Sequence, residues 1–237
     1  KQKTAYEIYQ CDWSSDVCSS DLAPVAPNDV RPKDQWFIES HNSNSFRNLW
    51  MSAINGGADI VQLVTWNDYS EHTHITPSQA IKGEMQRAYY DLSAYYLNWY
   101  KMGVQPTITN DVLYYFHRRQ SASLQPANKT KQTGTYQIAY GTATNEIELL
   151  AFLKTAGRLE ITIGGVTKTM DAPAGMTSFK VPLAAGTPQF RLVRNNAAVI
   201  SFSSQTAIQS SIETTDLSYQ MGSASAAGTC FTYTEPK

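Results

Sequence analysis

The stretch Val61-Gln62-Leu63-Val64-Thr65-Trp66-Asn67-Asp68-Tyr69-Ser70-Glu71 decides how the rest of the chain is read. Its first half is an apolar, β-branched run, and it predicts a buried strand over 59–65. Its second half gathers two carboxylates, an amide and two aromatic rings into six residues. Buried strands of parallel sheets read as continuous Val/Ile/Leu runs, and reactive side chains collect in the loops after their carboxyl ends. Asp68 and Glu71 therefore stand first as acid–base candidates: three residues apart on such a loop, both can face one cleft while their tips diverge.

On the amino-terminal side, Phe46, Leu49, Trp50, Ala53 and Ile54 recur at spacings of three and four. That periodicity predicts an amphipathic helix over 43–54, broken by Asn55, Gly56 and Gly57. On the carboxyl side a long loop runs to Pro77. Ser78 is then a cap for a helix over 79–101, with Ala88, Leu92, Tyr95, Tyr96 and Trp99 on one face. Helix, strand, helix is a repeat of a (β/α) barrel, and an eight-stranded barrel needs on the order of 250 residues. Residues 23–106 are thus expected to be the carboxyl-terminal end of a (β/α)8 barrel, ending at the helix stop Gly103 to Pro106.

From residue 107 the texture changes to short alternating runs: 112–117, 135–140, 146–153, 158–163, 178–183, 189–193 and 198–202. Gly164-Gly165, Pro173 to Gly175 and Asn195-Asn196 punctuate them. Short strands with turn signals between them predict an antiparallel β-sandwich over 107–237. The fold class is therefore α/β plus all-β. Packing against the barrel wall is the expected role of the sandwich, with an independent binding role as the alternative.

The segment Thr65 to Pro77, TWNDYSEHTHITP, resembles the signature of glycoside hydrolase family 71, the endo-α-1,3-glucanases also called mutanases. Weaker similarity covers 80–100 and 111–118. Members commonly carry Ser, His, Tyr where this chain has His72, Thr73 and His74. A related family of endo-acting mannosidases ends its strand in a similar aromatic, Asn, acid, two spacers, acid pattern. The resemblance implies an inverting glycosidase with Asp68 and Glu71 as the catalytic pair, acting on the polysaccharide α-1,3-glucan without a cofactor. It also implies an extracellular enzyme, monomeric when full length, whose signal peptide lies upstream. Inversion needs roughly 6.5–9.5 Å between the carboxyls to seat a water.

Glu71 is assigned as general acid and Asp68 as general base, because Glu has the longer reach and the higher ordinary pKa. Nearby Trp66 and Tyr69 would raise it by desolvation. The reverse order stays open. Taken singly, Asp68 reads equally as a turn cap and Glu71 as a solvated loop charge. Trp66 is a platform for a sugar ring or a core residue, and Asn67, Tyr69, His72 and His74 are candidate contacts to sugar hydroxyls. His72 and His74 could converge on a metal, but no nearby Cys or third His completes a set, so none is expected. Trp36, Glu39 and His41 either reach the cleft from a preceding loop or pack locally. His117, beside Tyr115 and Arg118, is expected to anchor the sandwich to the barrel.

Residues 1–22 resemble the conceptual translation of sequencing-adapter DNA and have neither periodicity nor an apolar core, so they are neither signal peptide nor membrane span. They are set aside, and the natural chain is expected to start near Ala23, partway through a gene. Cys11 and Cys18 go with them. Cys230 is left as a small buried residue or half of a disulfide. Asn128 to Thr130 is a sequon, used only in a eukaryotic secretory pathway. Hydrophobic residues make up 42% of the chain, charged ones 16%, and the formal net charge is −1. Without a basic cluster nucleic acid is not an expected partner, and no apolar run reaches the length that spans a bilayer. Three readings remain: a truncated α-1,3-glucanase, inactive and aggregation-prone as a fragment; a related glycosidase for another α-linked polymer; and a non-catalytic carbohydrate-binding protein using the sandwich.

Overall fold

The computed structural model describes residues 21–77, 87–128 and 135–226. Ser78, the first third of the helix expected over 79–101, most of the sequon and Cys230 lie outside the described residues.

The amino-terminal part runs β1 (Leu22–Val25), β2 (Asp29–Arg31), β3 (Trp36–Ile38), α1 (Asn44–Gly56), β4 (Ile60–Leu63) and α2 (Arg87–Met102). β1 and β4 pair in parallel, Leu22 opposite Ile60 and Val25 opposite Leu63. The expected strand over 59–65 is present, shorter by a few residues and only half covered. Ile60 is 54% exposed because, among the described residues, β1 is the neighbour of β4 and its other edge is open. Two strands and the helix between them are one unit of an α/β layer, and no barrel closes among the described residues. The fold also begins earlier than residue 23: Asp21 N–H donates to Asp59 at 3.1 Å and Asp21 C=O accepts from Ile60 N–H at 3.1 Å.

The remaining strands are β5 (Val112–Arg118), β6 (Gln137–Tyr140), β7 (Glu146–Leu153), β8 (Gly157–Ile163), β9 (Val166–Ala172), β10 (Gly175–Pro182), β11 (Gln189–Arg194), β12 (Ala197–Ser203) and β13 (Tyr219–Ser225). Eight of them form two four-stranded antiparallel sheets, in the orders β10-β7-β5-β13 and β12-β11-β8-β9. Leu113, Tyr115, Leu149 and Ala151 of the first sheet meet Leu159, Ile161, Phe190 and Leu192 of the second. The opposite face of the first sheet, through Tyr114, Phe116, Phe152, Tyr219 and Met221, packs on Phe46 and Trp50 of α1 and Tyr89, Leu92, Tyr95 and Tyr96 of α2. Three layers result: helices, sheet, sheet. All seven residues of β5 are buried for that reason, and Trp50 stacks on Tyr96 with ring centres 6.0 Å apart.

β6 departs from the expected sandwich. It pairs in parallel with β3 and completes a three-stranded sheet, β2-β3-β6. All four of its residues are exposed, so no buried alternation holds it in the sandwich. Backbone bonds hold it instead, Gln137 N–H to Gln35 C=O at 2.8 Å and Glu39 N–H to Tyr140 C=O at 3.2 Å. Gly141, at φ +87°, lets the chain pass Glu39 where a Cβ would come within 3.1 Å.

Two buried carboxylates tie the layers together. Ser43 caps α1 without a side-chain bond to the helix amides; its Oγ accepts from Arg47 at 2.9 Å instead. Its N–H donates to Glu148 of β7 at 2.8 Å, and Arg47 reaches the same carboxylate at 3.2 Å. A carboxylate at a helix amino terminus answers both the free N–H groups and the helix dipole. Glu39, just after β3, accepts from Arg118 at 3.0 Å, Tyr219 hydroxyl at 2.7 Å and Thr144 N–H at 2.9 Å. Arg118 also donates to the Leu217 and Thr144 carbonyls and lies 4.4 Å from the Tyr219 ring centre. The anchor is therefore Arg118, not His117.

His117 stays inside the sandwich, with Nδ1 donating to the Arg118 carbonyl at 2.9 Å and Nε2 2.8 Å from Ser204 Oγ. Burial pushes its pKa down to about 4, so the folded protein holds it neutral. The unfolded chain takes up a proton below about pH 6.5, and stability is expected to fall by up to 1.4 kcal/mol for each pH unit between about 6.5 and 4. Urea midpoints at pH 7 and pH 5 measure this. His117→Gln, which cannot titrate, is expected to have the smaller difference between the two.

Candidate active site

The loop after β4 folds back on itself. Thr65 N–H donates to Thr73 C=O at 2.9 Å and Ile75 N–H returns to Thr65 C=O at 3.1 Å, so residues 66–72 stand as a closed lobe. Asp68 organises its tip. Its Oδ1 accepts from Ser70 Oγ at 2.7 Å and from the N–H groups of Ser70 and Glu71, each at 3.1 Å. Asp and Ser residues bond their own backbone in this way at tight turns. The Ser70 hydroxyl and these amides stabilise the charged form and hold the Asp68 pKa below its ordinary value.

Glu71 is tied to β2. Its carbonyl accepts from Val30 N–H at 2.9 Å, and its carboxylate pairs with Arg31 at 2.9 Å. Arg31 is held in place by Asp29 through two bonds of 3.0 Å and lies 4.4 Å from the Trp36 ring centre. Burial raises the Glu71 pKa. Asp29, Asp68 and Asp34 push the same way, and Arg31 opposes them.

Glu71 borders a cleft of about 680 Å³. The end of β1, the β2-β3-β6 sheet, the first turns of α1 and Thr73 make up the rest of its wall. Trp36 and His41 line it. Glu39 lines it too, but its carboxylate is engaged by Arg118, Tyr219 and Thr144. The other candidates of the loop are outside the lining. Trp66 is 59% exposed, so it is not core, and its ring meets Tyr90 at 6.3 Å. Asn67 is exposed. Tyr69 packs on the ring of His74, which is buried, with centres 4.6 Å apart. His72, at φ +53°, donates from Nδ1 to Val30 C=O at 3.0 Å, while its own carbonyl accepts from Asn28. The two imidazole centres are 6.4 Å apart, and among the described residues no three His, Cys, Asp or Glu side chains gather as a metal site. Arg31 and Asp29 have no local signature in the sequence, since an Asp-x-Arg step marks nothing until the strand is placed against the loop.

The chain is 24% identical over 191 residues to glucan endo-1,3-alpha-glucosidase agn1 of Schizosaccharomyces pombe, covering 73% of this chain and 44% of that one. It is 24% identical over 200 residues to mutanase Pc12g07500 of Penicillium rubens, with 76% and 42% covered. It therefore spans less than half the length of these relatives. No solved structure is a significant match. The model of glycosyl hydrolase family 71 matches residues 22–232, nearly the whole length outside the first segment, and the chain belongs to that family.

Proposed function

We propose that this chain is the carboxyl-terminal portion of an extracellular endo-α-1,3-glucanase, whose (β/α)8 barrel is completed by residues upstream and whose sandwich braces the barrel wall. The observation that carries the reading is Glu71 at the wall of the cleft, with Asp68 in the same turn, in a family with relatives named glucan endo-1,3-alpha-glucosidase and mutanase.

The chemistry follows from how the two carboxyl groups are held. Asp68, stabilised as an anion by the Ser70 hydroxyl and two amides, accepts a proton from water as it attacks the anomeric carbon. Glu71, with its proton favoured by burial, donates to the departing glycosidic oxygen. That division gives inversion when a water sits between the two groups. Arg31 must yield Glu71 to the substrate for the proton to transfer. On the outer side of the lobe Trp66 stacks on a sugar ring, with Asn67 and Tyr69 bonding hydroxyls. His72 and His74 hold the lobe in shape from beneath. No cofactor enters the scheme, and the complete enzyme is a monomer.

The present chain is expected to be inactive alone, since among the described residues β4 pairs with β1 alone and a (β/α)8 barrel needs further strands. The test joins it to a complete upstream barrel and follows reducing ends released from insoluble α-1,3-glucan, α-1,6-mannan and dextran. Release from α-1,3-glucan is the expected result. Release only from another α-linked polymer supports the related-clan reading. Release from none, with the fold intact by circular dichroism, overturns the hydrolase.

A further inference from the structure

The cleft beside Glu71 is built from both parts of the chain. Trp36 and Ile38 lie two residues apart on β3 and so share one face of the sheet. Tyr140 stands opposite Ile38 in the register between β3 and β6, and all three line the cleft. The facing wall is the start of α1, where Asn44 and Asn48, four residues apart, lie on one side of the helix. Neither amide side chain hydrogen-bonds to the protein among the described residues. Ser40 lines the same cleft at 2% exposure, and its Oγ has no hydrogen-bond partner. A buried polar atom without a partner costs stability, so its place in a ligand-sized cavity points to a polar ligand.

A pyranose is amphipathic. Its C–H face packs on aromatic rings, and its hydroxyls need mixed donors and acceptors, which asparagine amides and a serine hydroxyl supply. Cavities of roughly 300–1,000 Å³ hold small ligands, and this one is about 680 Å³. We infer that the cleft is a saccharide subsite, with Tyr140 and Trp36 as its apolar wall and Ser40, Asn44 and Asn48 as its polar wall. The β-rich part of the chain then takes part in binding through Tyr140. This rests on the glycan reading above but not on the catalytic assignment of Asp68 and Glu71.

The test uses the 237-residue chain itself and needs no turnover. An α-1,3-linked gluco-oligosaccharide is titrated against isotope-labelled protein by NMR, with α-1,4-, α-1,6- and β-1,3-linked oligosaccharides alongside. Tyr140→Ala and Asn48→Ala alter exposed positions and are expected to keep the fold. Each is expected to raise Kd about five- to tenfold. The amides of residues 139–141 and 44–48 are expected to shift together on binding. Binding with no loss in either variant, or no binding of any oligosaccharide, overturns the subsite. Selective binding of another linkage with the same losses in the variants supports the subsite and counts against α-1,3-glucan as its ligand. Glu71→Gln in the same chain is expected to bind as the parent does, which separates the subsite from the catalytic pair.

Discussion

Replacing Glu71 with Gln, in a polypeptide with a complete barrel, is expected to lower kcat on α-1,3-glucan by about 10²–10⁴-fold, the contribution of a positioned general acid. The loss is expected to shrink to a few-fold on a glycoside whose leaving group departs without a proton, such as a dinitrophenolate. Asp68→Asn is expected to lose activity on both substrates, because water still needs a base. If Glu71→Gln is equally damaged on both, the acid is not Glu71, and the reversed order or another carboxyl takes its place. The pH profile offers a second check. Turnover needs Asp68 ionised and Glu71 protonated. The acid limb is therefore expected below the ordinary Asp value and the basic limb above the ordinary Glu value, matching the opposite directions in which the lobe shifts the two groups. Without Arg31, which favours the Glu71 anion, the basic limb is expected to move further up.

Arg118→Ala is expected to cost about 3–5 kcal/mol of folding stability, the range for removing one member of a buried ion pair. Both partners are almost fully enclosed, with side-chain exposures of 2% and 0%. Truncation would leave the Glu39 anion with Tyr219 and Thr144 but no counter-charge. It would also free the Leu217 carbonyl and empty the space over Tyr219. Chemical denaturation at pH 7 measures the loss. Adding Glu39→Gln is expected to recover part of it, since the neutral amide needs no counter-ion. A double variant no more stable than Arg118→Ala would place the cost in lost packing. Acid should act on the same contact. Despite burial, Arg118 and the hydrogen bonds lower the Glu39 pKa. Its contribution is therefore present above the ordinary Glu value and is lost as pH falls through the lower folded value.

Where a segment's apolar residues follow a regular period or an unbroken run, the sequence was legible. The spacing of Phe46, Trp50 and Ala53 marked α1, and Glu146 to Leu153 marked β7 to the residue. β9 and β13 left little trace. Six of the seven residues in β9 are exposed, and the second half of β13 is small and polar, so neither shows the alternation that announces a strand. β6 was found as a strand but assigned to the wrong sheet, because period two says that a residue is extended and nothing about its partner. At the site, adjacent carboxylates pointed to Asp68 and Glu71, since both sit in one short loop. Arg31, Tyr140 and Ser40 became visible only when β2, β6 and the turn before α1 were brought around that loop.

By itself the sequence determined both helices, most strands of the carboxyl-terminal part, the family and the two acidic candidates, because hydrophobic period, turn chemistry and motif spacing are written between near neighbours. Only the tertiary structure decided that Arg118, not His117, holds the parts together, that Glu148 caps a helix 105 residues away, and that Glu71 lines a cleft while Asp68 holds the tip of the same turn. Those outcomes depend on which charges lose water together and which donors then stand within reach, and distant segments settle that when they close the core.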